Sequence, residues 1–182
     1  MEGKIAYQGE SGAFGEEACS LFVPGRPTLN CPSFKLVVQA VLEGKADLGM
    51  LPIENSCAGT VPGIRDILAG SAVRVVRRVD LPVRMHLLAQ EGARLEGIRT
   101  VASHAVALAQ CGKALRELGV ETEEASNTAA AAKELAGSHE AGDRAVLASE
   151  RAAAAYGLTI LKRDLQDRPD NITTFAVIAR GQ

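Results

Sequence analysis

Residues 33–56 read SFKLVVQAVLEGKADLGMLPIENS, and they set the fold class. Ser33 is a helix N-cap by type, because its hydroxyl accepts from the unpaired N–H groups of a first turn. Phe34, Val37, Val38, Val41 and Leu42 then recur at the i, i+3, i+4, i+7, i+8 spacing that lines one helix face, and Gly44 closes the helix. Ala46 to Ile53 follows as a buried strand. Its end carries the polar run Glu54, Asn55 and Ser56, with Gly59, Thr60 and Pro62 leading into a short helix around Ile64 to Leu68. Helix, strand and polar strand end in this order predict an α/β fold, in which ligands bind outside the carboxyl ends of strands.

The same alternation extends in both directions. Towards the N-terminus, Lys4 to Gln8 is a strand, Gly9, Gly12 and Gly15 form a turn, and Glu16 to Phe22 is helical. This glycine spacing is not the dinucleotide fingerprint, and Glu10, Glu16 and Glu17 would repel phosphate there. Towards the C-terminus, Val73 to Val79 and Val83 to Gln90 read as strands, with Asp80, Leu81 and Pro82 as a turn or crossover at a lobe boundary. Ile98 to Ala102 is a strand, after which Ser103 caps a helix from His104 to Leu118, ended by Gly119. Val120 to Glu124 is another strand. Ser126, Asn127 and Thr128 cap an alanine-rich helix to Leu135, followed by a mobile loop over Gly137 to Asp143. Ala145 to Ala148 is a strand and Glu150 to Tyr156 a helix capped by Gly157. Leu158 to Leu165, a polar loop from Gln166 to Asp170, and a last strand from about Ile172 to Ala179 complete a largely parallel arrangement.

Composition narrows the function. The chain has 182 residues, 47% of them apolar, enough for one full core or two small lobes. Twenty basic residues stand against 22 acidic ones, a formal charge of -2, too balanced to attract nucleic acid. The start lacks the apolar h-region of a signal peptide, and no apolar stretch approaches a membrane span, so a cytoplasmic location is the default expectation. Cys19, Cys31, Cys57 and Cys111 are scattered without paired spacing, and His86, His104 and His139 lie far apart. Neither a metal site nor a disulfide framework is expected.

Three places put small polar side chains just after a strand: Glu54-Asn55-Ser56, Ser103-His104 and Ser126-Asn127-Thr128. The last two sit at helix starts, where N–H groups and the helix dipole hold carboxylates, although each serves equally as an ordinary cap. Glu54 beside Asn55 forms a candidate catalytic pair. Gln110, seven residues after Ser103, shares its side of a helix. His104 has no carboxylate at a fixed offset to orient it, which favours a solvent-facing or capping role over that of a base. Strand alternation points Thr173 and Thr174 to opposite faces, so only one of them faces a site.

Six segments, in order, resemble the catalytic domain of prephenate dehydratase. They are Tyr7 to Phe14; Leu51-Pro52-Ile53-Glu54-Asn55-Ser56 with Gly59 and Val61; Ser103-His104 with Ala107 to Cys111; Asn127-Thr128-Ala129 with Ala131 and Ala132; Ala148-Ser149 through Tyr156-Gly157-Leu158; and Gln166-Asp167 ahead of Asn171-Ile172-Thr173-Thr174-Phe175.

The resemblance implies two Rossmann-like lobes similar to a type II periplasmic-binding-protein fold, with the active site in the inter-lobe cleft. Residues 1–79 plus about 171–182 would form the first lobe and 80–170 the second. The family's members are usually dimers and commonly continue into a regulatory ACT domain, which this sequence does not include. The implied reaction converts prephenate, a small anionic substrate, to phenylpyruvate, carbon dioxide and water in phenylalanine synthesis, without a cofactor. Arogenate dehydration, or a non-catalytic binding module for such an intermediate, are the alternatives. By the resemblance, Thr173 assists departure of the ring hydroxyl, with Glu54, Asn55 and Gln110 as the other catalytic candidates. Ser56, Ser103, His104, Asn127, Thr128, Thr174 and Phe175 are candidates for holding the substrate. One departure stands out: the family motif has arginine where this chain has Thr174. If that arginine steadies a carboxylate, its loss weakens binding by about 1.5–3 kcal/mol, the scale of a charged hydrogen bond, with Arg163 or Arg168 as possible replacements.

Overall fold

The structure, a computed structural model, describes residues 3–138 and 142–181. The loop expected over Gly137–Asp143 therefore falls in part on residues 139–141, outside the described residues. The chain divides into two compact units. The first takes the chain up to Glu10, Phe14–Pro82 and the stretch from Asp170 on; the second takes Ser11–Ala13 and Val83–Pro169.

In the first unit β1 (Ile5–Gln8) lies between β2 (Thr28–Cys31) and β3 (Leu48–Asn55), all parallel. The two-residue β4 (Gly59–Thr60) folds back on the end of β3. The ten-residue β5 (Val73–Pro82) is the sheet's far edge, and β11 (Ile172–Arg180) runs antiparallel between β3 and β5. Helices α1 (Phe14–Phe22), α2 (Phe34–Leu42) and α3 (Ile64–Ala69) belong to this unit. The α2 stripe behaves as its spacing dictates: Val37, Val38 and Val41 are buried, Phe34 and Leu42 pack at its margin, and Ser33 Oγ accepts from the Leu36 N–H at 3.3 Å. Burial of each valine is worth about 1.5–3 kcal/mol. Gly49 makes this packing possible, because a Cβ there would lie 2.9 Å from Val37 and from Ile178.

In the second unit the order is β10 (Thr159–Lys162), β6 (His86–Ala89), β9 (Arg144–Ala148), β7 (Thr100–Ser103) and β8 (Glu121–Glu124). β7 is parallel to β8 and β9, whereas β6 is antiparallel to β9 and β10. Helices α4 (Ala105–Gln110), α5 (Gly112–Leu118), α6 (Thr128–Gly137) and α7 (Glu150–Tyr156) complete it. With 3% aromatic residues in the chain, its core is built from small side chains: Ala131, Ala132, Ala148, Ala152 and Ala153 pack with Leu88, Leu135, Val146 and Leu158. Close approach replaces bulk. Gly12 shows this most sharply: at φ +87°, it lies where a Cβ would come within 2.6 Å of Ala152 Cα, and its carbonyl accepts the Ser149 hydroxyl at 2.7 Å.

The architecture is mixed α/β, and several local expectations are corrected. The sheets are mixed rather than largely parallel, because β11 and β6 enter antiparallel. Asp80–Pro82 is not a turn: β5 continues through it because β11 pairs there, Thr173 with Leu81 and Ile172 with Pro82. An edge strand tolerates the missing N–H of Pro82. Ser103 still belongs to β7, so His104 is the N-cap, and the expected single helix breaks at Cys111 into α4 and α5. The expected strand to Leu165 ends at Lys162, because Asp164 turns left-handed at φ 56°. β2 carries no pattern that distinguishes it in the sequence.

Candidate active site

The polar end of β3 meets the start of β11, and four side chains converge there. Asn55 Nδ2 lies 2.8 Å from Asn171 Oδ1, 3.0 Å from Thr173 Oγ1 and 3.2 Å from the Ile172 carbonyl. Its Oδ1 accepts from the N–H groups of Cys57 and Ala58, both at 2.9 Å. Ser56 stitches the loop to the strand: its hydroxyl donates to the Asp170 carbonyl (2.8 Å), its Oγ accepts from the Ile172 N–H (2.9 Å), and its own N–H donates to the Ile172 carbonyl (2.8 Å). A network this densely bonded within the chain is rigid.

The contacts at the two ends of the Asn55 amide define its orientation. Two N–H groups aimed at one atom require that atom to be the carboxamide oxygen, so the NH2 group faces Asn171 and Thr173. Thr173 Oγ1 is therefore an acceptor from Asn55. A hydroxyl that accepts in this way retains its own hydrogen for another oxygen. Among the described residues none accepts that hydrogen.

Register separates the remaining candidates. Paired positions share a sheet face and successive residues alternate. Asn55, Thr173 and Leu81 are paired across β3, β11 and β5, and Glu54, Thr174 and Asp80 form the next row, on the opposite face. The Thr174 hydroxyl donates to Asp80 Oδ1 at 2.6 Å, and Glu54 is exposed beside it. Glu54 and Asn55 thus do not act as an adjacent pair on one surface. A register shift follows between Thr174 and Phe175, which pairs with Pro52 and is only 2% exposed, in the core rather than on a binding surface.

Ser103, His104, Gln110, Asn127 and Thr128 belong to the second unit. Ser103 is fully buried and donates to the Leu147 carbonyl at 2.7 Å, so it neither caps a helix nor shares a helical face with Gln110. His104 is exposed and caps α4, its Nδ1 accepting from the Val106 N–H at 3.3 Å. Asn127 caps α6 through the Ala130 N–H at 2.7 Å, with half-buried Thr128 as the first helical residue. Gln110 is half-buried at the end of α4, and its carbonyl accepts from the Asp167 N–H at 2.7 Å.

Two further roles have no local signal in the sequence. Asn171 stands just ahead of β11, and nothing near it in the chain shows that it meets Asn55, 116 positions away. Gln166 and Asp167 are tethers: Gln166 Oε1 accepts from the Met85 N–H at 2.9 Å, and the Asp167 carboxylate accepts from the Lys113 N–H at 3.1 Å, capping α5 from outside the helix. No disulfide joins the four cysteines, of which Cys19, Cys31 and Cys111 are buried and Cys57 is partly exposed. Burial first, then the Asp167 charge, pushes the Cys111 pKa up to about 12, which makes it inert as a nucleophile.

A model of the prephenate dehydratase family matches residues 5–182. This chain belongs to that family. Arogenate dehydratase/prephenate dehydratase 2, chloroplastic, of Arabidopsis thaliana is 41% identical over 177 residues, which are 97% of this chain and 46% of that protein. The chain thus spans about half the length of the curated relatives it matches. Among solved structures, the prephenate dehydratase of Arthrobacter aurescens, in complex with L-Phe, superposes with a TM-score of 0.90 at 30% identity, covering 98% of this chain and 61% of that one. GqqA, described as a novel type of quorum quenching acylase, gives 0.90 at 35%, covering 98% and 64%. A periplasmic substrate-binding protein from Coxiella burnetii, at 11% identity and a TM-score of 0.51, shares the fold alone, covering 99% of this chain and 85% of that one. The relatives also contradict the cytoplasmic expectation: several Arabidopsis members of the family are named chloroplastic.

Proposed function

We propose that this chain carries out the decarboxylating dehydration of prephenate, with arogenate as the second candidate substrate. The observation that carries the reading is the Thr173 hydroxyl, held as an acceptor by Asn55 so that its hydrogen is free to meet a departing oxygen.

The chemistry asks for little else. Prephenate breaks its ring C–O bond and the C–C bond to its ring carboxylate. The electrons of the second bond fill the ring as it becomes aromatic, the carboxylate leaves as carbon dioxide, and the hydroxyl leaves as water after taking one proton. Aromatisation supplies the driving force, so the protein must ease the departure of hydroxide. A threonine hydroxyl is too weak an acid to give up its proton unaided. As a preorganised donor it stabilises charge growing on the leaving oxygen, and a solvent proton completes water. Neither Thr173 nor Ser56 is hydrogen-bonded to a histidine among the described residues, an arrangement that suits assisted departure better than acyl transfer.

Arogenate differs from prephenate by an amino group in place of the keto group, and relatives carry both activities in their names. The test is turnover of each acid by the purified chain, read as phenylpyruvate or phenylalanine release, with Thr173→Val alongside. Turnover with loss of about 10²-fold or more in kcat for the variant, and little change in KM, is expected. Full activity of Thr173→Val overturns the mechanism; binding without turnover by the unsubstituted chain overturns the reaction. We also propose that the chain works as a homodimer, which sedimentation at micromolar concentration decides.

A further inference from the structure

We infer that Asn171 is a positioning residue that sets the direction of the Thr173 hydroxyl through Asn55. Its effect on rate rests on the dehydratase reading, whereas its effect on the Asn55 amide rests on geometry alone. Asn55 Nδ2 has two hydrogens, and the acceptors around it include Asn171 Oδ1 at 2.8 Å, Thr173 Oγ1 at 3.0 Å and the Ile172 carbonyl at 3.2 Å. The two shortest contacts take the two hydrogens. Asn171, 1% exposed, thereby occupies one N–H and directs the other at Thr173. The clamp at Oδ1 by the Cys57 and Ala58 N–H groups fixes the opposite end of the same planar group.

Without an acceptor at 171, the Ile172 carbonyl is the nearest competitor, and an amide turned towards it weakens its bond to Thr173. The threonine hydroxyl then rotates, and its own hydrogen no longer points steadily at the departing oxygen. Asn171 acts through two intermediaries and on orientation only. Its loss should therefore lower kcat and leave KM alone.

The experiment compares Asn171→Leu, which keeps the branched shape and removes the acceptor, with Asn171→Asp, which keeps an acceptor but buries a charge. Steady-state kinetics on whichever acid the unsubstituted chain turns over is paired with thermal unfolding and with NMR of the Asn55 side-chain NH2. The leucine variant should lose about tenfold in kcat, the scale of one hydrogen bond, at unchanged KM, and its Asn55 NH2 hydrogens should exchange faster with water. The aspartate variant should recover most of kcat although buried charge makes it the less stable of the two. Activity and stability then rank the variants in opposite orders, which a packing role cannot produce. Full kcat for Asn171→Leu, or both variants failing in step with their stability, overturns the proposal. If the unsubstituted chain turns over neither acid, the dehydratase reading falls, and unchanged protection of the Asn55 NH2 in Asn171→Leu overturns the positioning role separately.

Discussion

Thr174 occupies the position at which the family motif carries arginine, and its neighbours explain what a cation there would meet. Asp80 accepts its hydroxyl and Glu54 is paired with it across the strands, on the face away from Thr173. An arginine would answer two carboxylates of its own chain. The loss of about 1.5–3 kcal/mol in substrate binding expected from the resemblance therefore has no geometric support here. Thr174→Arg should leave KM for either acid within about twofold and add up to about 1 kcal/mol of stability, as exposed ion pairs do; chemical denaturation beside steady-state kinetics measures both. A tenfold fall in KM would place residue 174 at the substrate after all. Cysteine chemistry follows burial in the same way. Native alkylation should label Cys57 alone, giving a single mass increment, while Cys19, Cys31 and Cys111 react only after unfolding.

Between β10 and β11 the chain from Arg163 to Asp170 makes a run of tethers, and its pivot is His86. The imidazole is buried, and its Nδ1 accepts from the N–H of Asp164, the left-handed residue that ends β10. Burial holds its pKa below the ordinary 6.5, while Asp164 and Glu150 pull it upward and Arg163 and Arg84 push it down. Because the unfolded chain binds the proton more readily, His86 contributes its full stability above about pH 6.5 and loses it as pH falls through the depressed folded value. The urea midpoint should therefore drop between pH 8 and pH 5.5, and drop less in His86→Gln, whose amide oxygen accepts the same N–H without titrating. The Asp167 cap on α5 is testable alone: Asp167→Ala should cost about 1 kcal/mol and speed amide exchange at Lys113. Elements of this kind mark the limit of what the sequence discloses. The α2 stripe and the caps at Ser33 and Asn127 are legible because their signals are local and periodic. Ser103 reads as a cap only because its partner, Leu147, is distant, and the end of β5 reads as a turn because the strand that extends it begins at Ile172. Thr173 and Asn55 are recognisable as polar strand-end residues and by resemblance; the hydrogen bond that joins them is not.

At the scale of the whole chain, β11 is the last strand in sequence and an interior strand in space. Its position between β3 and β5 means that the first unit's sheet cannot close until everything from Val83 to Asn171 has been made, although β1 to β5 precede all of it. The strands of the second unit face no such wait, since β6 to β10 follow one another without interruption. Long-range pairing is slow because loop closure must precede the contacts that reward it. Pulse-labelled exchange during refolding should find β7 and β9 protected before β3 and β5. On the ribosome the consequence is one of order: the N-terminal strands emerge first and finish last, with Met50, Leu51, Val79 and Leu81 lacking their β11 neighbour in the interval. Thr173 arrives with the strand that ends that interval, so the nascent chain acquires this hydroxyl in the same step that covers the apolar residues of β3 and β5.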